Sequence, residues 1–332
     1  MTRRGATSSF SSAKVRSRFG ENAPEEAMTV RKPVMIAMPG NEQFADALAA
    51  CLPLDRGAAA VRHFPDGESY VRVTSAVEGR DAFIVCTLDR PDPKLVPLLL
   101  LAAAAREAGA ASIGLVAPYL AYMRQDRRFH PGETVSAQHM GAWLSPRIDW
   151  LVTVDPHLHR IADLSEVFSV PSRVVHAASS VAQWVGKHVR NPLLVGPDGE
   201  SAQWTRDVAR QLNAPCVVLN KARHGDFDVR ISLPGIEQWH DHTPVLVDDI
   251  VSTGRTMAVT VKRLCEAGLP ASVCVAVHAV FAPTALGELR AAGAGEIVSC
   301  DTISHPTNRI SIAAAVAQGI GPGRWPSTSS LC

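Results

Sequence analysis

From Pro33 onward, short apolar runs alternate along the chain with longer stretches of helical patterning. VMIAM (34–38) reads as a strand and NEQFADALAACL as a helix opened by Asn41. AFIVCTL, a helix through LVPLLLLAAAAREAG, SIGLVAPYL, a polar stretch and DWLVTVDPH follow. The second half keeps the rhythm, with SRVVHAA, a helix around Val181–His188, PLLVGPD, a helix from Ser201 to Leu212, CVVLNKAR, VRISLPG, TPVLVDDI, a helix from Thr256 to Glu266, SVCVAVHAVF and EIVSCDTI. Continuous apolar strands separated by helices of ten or more residues imply βαβ units and buried, mainly parallel sheets. The two halves are similar in length, so two α/β domains related by duplication are expected, with a boundary near Pro171. In open α/β sheets ligands sit at the carboxyl ends of strands, and the polar residues there are the ones to examine.

One strand end stands out. Val245–Thr256 reads VLVDDIVSTGRT: an apolar strand closes on Asp248 and Asp249, and a short Ser/Thr/Gly loop then opens a helix. Backbone amides of such a loop, the hydroxyls of Ser252, Thr253 and Thr256 and the helix N-terminus make an anion site. Carboxylates at a strand end can accept hydrogen bonds from a vicinal diol. The same letters also fit an Asp-rich strand end with an ordinary N-cap at Ser252. The pair of acids on a buried strand favours the first reading, because unpartnered buried carboxylates are costly.

Composition narrows the field. Net charge is +1, from 33 basic and 32 acidic residues, against the strong basic excess of a nucleic-acid-coating protein. The apolar run Leu95–Ala105 carries Pro97 and falls well short of the roughly 20 residues a bilayer requires, so a buried helix is expected and no membrane span. Seven scattered cysteines without a CxxC pair suit a reducing cytoplasm, not a disulfide framework or structural zinc. Residues 1–32 are rich in Ser and Arg with no apolar period, as in a tail without fixed structure; a transit peptide and a start at Met28 are the other readings.

VDD, a short loop and T-G-x-T resemble the phosphoribosyl-diphosphate-binding motif of type I phosphoribosyltransferases and ribose-phosphate diphosphokinases. Further segments resemble the second family in its order. HFPDGESYVRV (63–73) is similar to its FxDGE loop, APYLAYMRQDRRF (117–129) to PYxxYxRQDR, and HPGETVSAQHMGAWL to PGExISA. VTVDPHLHR (152–160) is similar to VDxH, NKARHGDFDVRISLPG (220–235) to the catalytic flexible loop with its KxR signature, and SCDTISHPTNRISIAAAVAQGI to the C-terminal strand–loop–helix. Locally, Asp66-Gly67 is a hairpin turn, the arginines after Tyr122 a solvated basic loop, and Lys221 with Arg223 an exposed basic hairpin.

The resemblance implies two phosphoribosyltransferase-like domains: an N-terminal one over 33–171, joined by segment 309–321, that holds ATP, and a C-terminal one over 172–308 that holds ribose 5-phosphate. It implies transfer of the diphosphoryl group of ATP to ribose 5-phosphate, giving PRPP and AMP, with Mg2+ as cofactor. Lys221 and Arg223 would act on the transferred group. Phe64, Asp66, Glu68, Arg124, Gln125, Asp126 and His157 would bind ATP, the first three across a subunit boundary in a dimer or larger homo-oligomer. Asp248, Asp249, Ser252, Thr253, Gly254, Arg255 and Thr256 would hold ribose 5-phosphate, and His157 and Asp198 the metal; His159 is not carried over. Three departures stand out: Gly199-Glu200 replaces a GG pair, Ser252 an Asp, and Arg255 a Gly. A type I phosphoribosyltransferase and an inactive, synthetase-like regulatory subunit are the competing readings.

Overall fold

The computed structural model describes residues 32–321 apart from 159, 198, 200, 225–227 and 233–235. In the first half, β1 (Val34–Ala37), α1 (Glu42–Ala49) and β2 (Asp55–Gly57) precede a hairpin of β3 (Ala59–His63) and β4 (Ser69–Val73). Then come β5 (Asp81–Val85), α2 (Asp92–Glu107), β6 (Ser112–Ala117), α3 (Ser136–Leu144), β7 (Trp150–Val154) and β8 (Ser172–Val175). The second half runs α4 (Ala178–His188), β9 (Pro192–Gly196), α5 (Ala202–Leu212), β10 (Cys216–Val218), a hairpin of β11 (Asn220–His224) and β12 (Asp228–Ser232), and β13 (Thr243–Ile250). It ends with α6 (Arg255–Glu266), β14 (Ser272–His278), α7 (Ala285–Ala291), β15 (Ala294–Cys300), β16 (Asn308–Ile310) and α8 (Ala313–Ile320).

The strands form two six-stranded sheets, ordered β2-β1-β5-β6-β7-β8 and β10-β9-β13-β14-β15-β16, and all their pairings are parallel. Each half thus repeats one plan, with an edge strand second in sequence and a hairpin inserted before the third sheet strand. Two segments fall differently from the sequence reading. Ser172–Val175 pairs with β7, so the first sheet extends past Pro171. CVVLNKAR is not one strand: the chain leaves the sheet at Leu219, and Asn220–His224 joins the hairpin.

Period-two alternation divides the core. On β1, Val34 and Ile36 face one cluster and Met35 the other; on β13, Val245 and Val247 face one and Leu246 the other. One cluster runs beneath both sheets, joining Met35, Phe83 and Trp150 to Val185, Leu194 and Val245. α8 packs on α1, β7 and β8, returning the C-terminal segment to the first sheet. Asn41 precedes α1 without capping it: its side chain accepts from Thr87 N at 2.6 Å and donates to Met38 O at 3.2 Å, tying two strand ends. Among the described residues no helix is long and apolar enough to cross a membrane.

Candidate active site

Because the strands within each sheet are parallel, their carboxyl ends share an edge, and the loops at those ends gather. A cleft of about 670 Å³ lies where the end of β7 meets the end of β13. Asp155, Pro156 and His157 line it from the first sheet, Asp248, Asp249 and Ile250 from the second. His157 Nδ1 lies 2.5 Å from Asp249 Oδ2, so the two strand ends are joined by a hydrogen bond spanning 92 residues of sequence. Asp249 Oδ1 also accepts from Ile250 N at 2.7 Å. Burial alone would raise the Asp249 carboxyl; the His157 hydrogen bond and charge, with the Ile250 amide, instead hold it below the ordinary carboxylate range.

The loop after β13 reaches α6 through Ser252, Thr253 and Gly254. Gly254, with φ at +72°, is the helix N-cap, so α6 starts at Arg255, one residue before the expected Thr256, and the alternative of an N-cap at Ser252 does not hold. Ser252 instead lends its carbonyl to Ala282 N at 2.9 Å, anchoring the loop to the segment after β14. Thr253 and Arg255 are exposed, and Arg255 is the first residue of α6. The loop therefore presents hydroxyls and a helix N-terminus beside two carboxylates, as an anion-and-diol site requires.

Elsewhere the predicted residues separate into groups. Arg124 is exposed, whereas Asp126 is buried and accepts from Arg160 N at 2.9 Å and Arg160 Nη1 at 3.1 Å. Asp126 thereby ties the loop after β6 to the one carrying His157; Gln125 is half-buried and its carbonyl accepts from Ala137 N. Tyr119 lies between the two regions: burial pushes its phenol up, the Arg124 charge lowers it and Asp249 raises it. Phe64, Asp66 and Glu68 sit at the tip of the β3–β4 hairpin, outside the cleft lining. Gly67, at φ +93°, closes the tip, and Glu68 N donates to Asp66 Oδ1 at 3.1 Å. Phe64 is 40% exposed and packs edge-on against Tyr70, with the Arg62 guanidinium over both rings. Lys221 and Arg223 lie on β11, opposite Ile231 and Val229 of β12. Their side chains, and Asp198, lie outside the described residues.

Sequence reasoning missed several residues that line the cleft: Asp155, His176, Ser201, Gln203, Trp204 and Asp207. The strand-end rule contained the signal for three of them, since Asp155 and His176 follow β7 and β8 and Ser201 precedes α5 at the end of β9. Nothing in the spacing marked Trp204 or Asp207.

Two parallel sheets of one plan, with a carboxylate-and-hydroxyl loop at one strand end, define a phosphoribosyl-type α/β protein. The comparisons agree: the phosphoribosyl transferase domain model matches residues 172–314, and the model of the N-terminal domain of ribose phosphate pyrophosphokinase matches residues 34–146. The chain is 33% identical over 259 residues to the ribose-phosphate pyrophosphokinase of Methanopyrus kandleri, covering 77% of this chain and 88% of that one. It is 33% identical over 289 residues to that of Halobacterium salinarum, covering 86% and 100%. The crystal structure of phosphoribosylpyrophosphate synthetase from Mycobacterium smegmatis superposes with a TM-score of 0.76 at 26% identity, over 87% of this chain and 98% of that chain. The chain belongs to the ribose-phosphate pyrophosphokinase family.

Proposed function

We propose that this protein transfers the diphosphoryl group of ATP to the anomeric hydroxyl of ribose 5-phosphate, releasing PRPP and AMP. The observation that carries this reading is the His157–Asp249 bond, which brings the strand end expected to serve the donor against the one expected to serve the acceptor. In it, Asp248 and Asp249 accept hydrogen bonds from the ribose hydroxyls, and the Ser252–Thr256 loop holds the 5-phosphate. Lys221 and Arg223 bring cations to the transferred group from the β11–β12 hairpin, where negative charge must be held as the β-phosphorus is attacked. Positioning of the anomeric oxygen in line with the leaving AMP supplies much of the acceleration.

The lining of the cleft fits Mg2+. Its described charged residues are Asp155, Asp163, Asp207, Asp248 and Asp249, with two histidines and no Lys or Arg, so a polyphosphate entering alone meets like charge. Among the described residues no group of three or more His, Cys, Asp and Glu side chains could hold a metal ion. Mg2+ commonly keeps several waters and takes one or two carboxylates plus substrate phosphates. His157 and Asp198 are the residues that would hold it, and when bound it would supply charge neutralisation for the phosphate groups.

The same reading includes a homo-oligomer. α2 packs on β4 of the FPDGE hairpin and leaves Val96 and Leu100 exposed at 55% and 41%, apolar surface suited to a second subunit. Buried Cys86, Cys274 and Cys300, their thiols pushed up by burial, behave as hydrophobes and suit a cytoplasmic setting. Purified protein is incubated with ATP, ribose 5-phosphate and Mg2+, and AMP is followed. The expected result is AMP that requires the sugar, disappears with EDTA and falls to background in Lys221→Ala. Wild-type AMP no higher than that of Lys221→Ala would overturn the reading and leave an inactive homologue.

A further inference from the structure

His278, at the end of β14, is 1% exposed and lies at the seam of the two halves. Nε2 is 3.2 Å from the carbonyl oxygen of Asp155, and Nδ1 is 2.9 Å from Thr302 Oγ1. The ring packs edge-on against Tyr119, with centroids 4.9 Å apart. A carbonyl oxygen only accepts, so the proton belongs on Nε2, which donates to Asp155. Nδ1 of the neutral ring and Val277 O, 2.9 and 2.7 Å from Thr302 Oγ1, compete for the single proton of that hydroxyl. Burial pushes the imidazole's pKa down, keeping the ring neutral, in agreement with one proton and one lone pair.

The acceptor of this bond is an unusual residue. Asp155 has φ at +32°, a conformation that a non-glycine residue rarely adopts and that persists only where its surroundings over-determine it. Here they do. Its amide donates to Val175 O at 3.1 Å, its carboxylate accepts from Ala177 N at 2.8 Å and His176 Nδ1 at 2.7 Å, and its carbonyl takes the His278 bond. The turn so fixed leads through Pro156 to His157, which reaches Asp249. His278 and Asp249 also stand on neighbouring strands, since Ile250 of β13 is the register partner of His278. The β7 turn is therefore held to the β13–β14 pair at two points: by Asp155 on His278, and by His157 on Asp249.

We propose that His278 is a positioning residue: it never meets substrate but, through the Asp155 carbonyl, sets where His157 stands against Asp249. In terms of the diphosphokinase reading, on which the kinetic part rests, it holds the donor-side turn in register with the acceptor-side carboxylates.

The test compares His278→Gln, whose side-chain amide can offer a donor where Nε2 stood, with His278→Asn, whose shorter amide mimics Nδ1 and leaves the Asp155 carbonyl unpaired. In AMP formation, His278→Asn should lose about ten- to a hundredfold in kcat with KM for ribose 5-phosphate little changed, and His278→Gln should recover most of it. Independently of turnover, the downfield imidazole N–H resonance of His157, assigned by its absence in His157→Gln, should persist in His278→Gln and vanish in His278→Asn. Should His278→Asn not fold, Thr302→Val, which removes the hydroxyl orienting the ring, replaces it in the same comparison. Equal kcat and an intact His157 signal in both variants would overturn the proposal, as would equal loss in both, which would point to the bulk of the ring. If the wild type makes no AMP, the diphosphokinase reading fails, and the His157 resonance still decides the positioning.

Discussion

Replacing Asp249 by Asn keeps the volume of the side chain and removes its charge. The Asn oxygen can still accept from Ile250 N, but the amide nitrogen now faces His157 Nδ1, which must switch from donor to acceptor. What is lost is the difference between a charge-assisted and a neutral hydrogen bond, about 1 kcal/mol, at a carboxylate only 24% exposed and so little screened. For a chain of this size that lowers Tm by about 1–2 °C at neutral pH. The pH dependence has a definite sign. Asp249 titrates below its ordinary value of 3.8 in the folded protein, so its contribution is fully present above that value and is lost as pH falls through the folded pKa. Asn does not titrate, so the gap between wild type and variant should hold from pH 7 down to about 3.8 and close below it. Urea unfolding followed by tryptophan fluorescence across that range measures it, and AMP formation measures the loss at the site. If the carboxylate also accepts from a ribose hydroxyl, kcat/KM should fall about ten- to a hundredfold. Coincident unfolding midpoints at every pH, or a gap that widens in acid, would refute the reasoning.

Two further outcomes follow from the fold and the donor loop. A methyl group added at Gly114 of β6 would lie 1.8 Å from the Trp150 ring, which is itself held edge-on by Phe83 at 4.9 Å. Gly114→Ala should therefore destabilise by about 1–3 kcal/mol through overpacking; an unchanged urea midpoint would show that the ring can move aside. Asp126→Ala and Arg160→Ala should give similar losses of activity, with a coupling in the double variant of about 1 kcal/mol, trimmed by the solvent around a guanidinium 44% exposed. Additive effects in that cycle would free Asp126 from Arg160 and return it to direct contact with ATP.

The sheet strands were legible because both faces of a parallel sheet are covered, which makes β1, β5, β7, β9, β13 and β14 near-continuous apolar runs. β2 left no such signal: Asp55–Gly57 is a polar edge strand of three residues, held by backbone pairing to β1 alone. SRVV opens like the first strand of a unit, and its register with Leu151–Val154 nonetheless pairs it with the first sheet. At the site, the loop Val245–Thr256 and His157 could be read from the strand-end rule, yet their meeting could not, since their partnership depends on how two separate sheets abut. Asp126 shows another case: the resemblance assigned it to ATP, and its bond to Arg160, on another loop, had no signal in the sequence. His278 was hidden within an apolar strand, where a histidine has no periodic signature.

The repeated plan explains why the chemistry divides as it does. Each half inserts a hairpin between its edge strand and its third sheet strand, at the same topological position. The first hairpin carries Phe64, Asp66 and Glu68 at its tip, with an exposed aromatic and guanidinium surface; the second carries Lys221 and Arg223. Equivalent strands have likewise diverged: β5 is followed by Cys86 and Thr87, whereas its counterpart β13 ends in Asp248, Asp249 and Ile250. A parallel sheet fixes where its strand ends gather but places no demand on which side chains stand there, so two copies of one scaffold can specialise separately. On the proposed reading, neither half then contains a whole site. The contacts between them, His157 with Asp249 and His278 with Asp155, must then be as specific as those inside either sheet. A buried imidazole, His278, and an aspartate at positive φ, Asp155, stand at that seam.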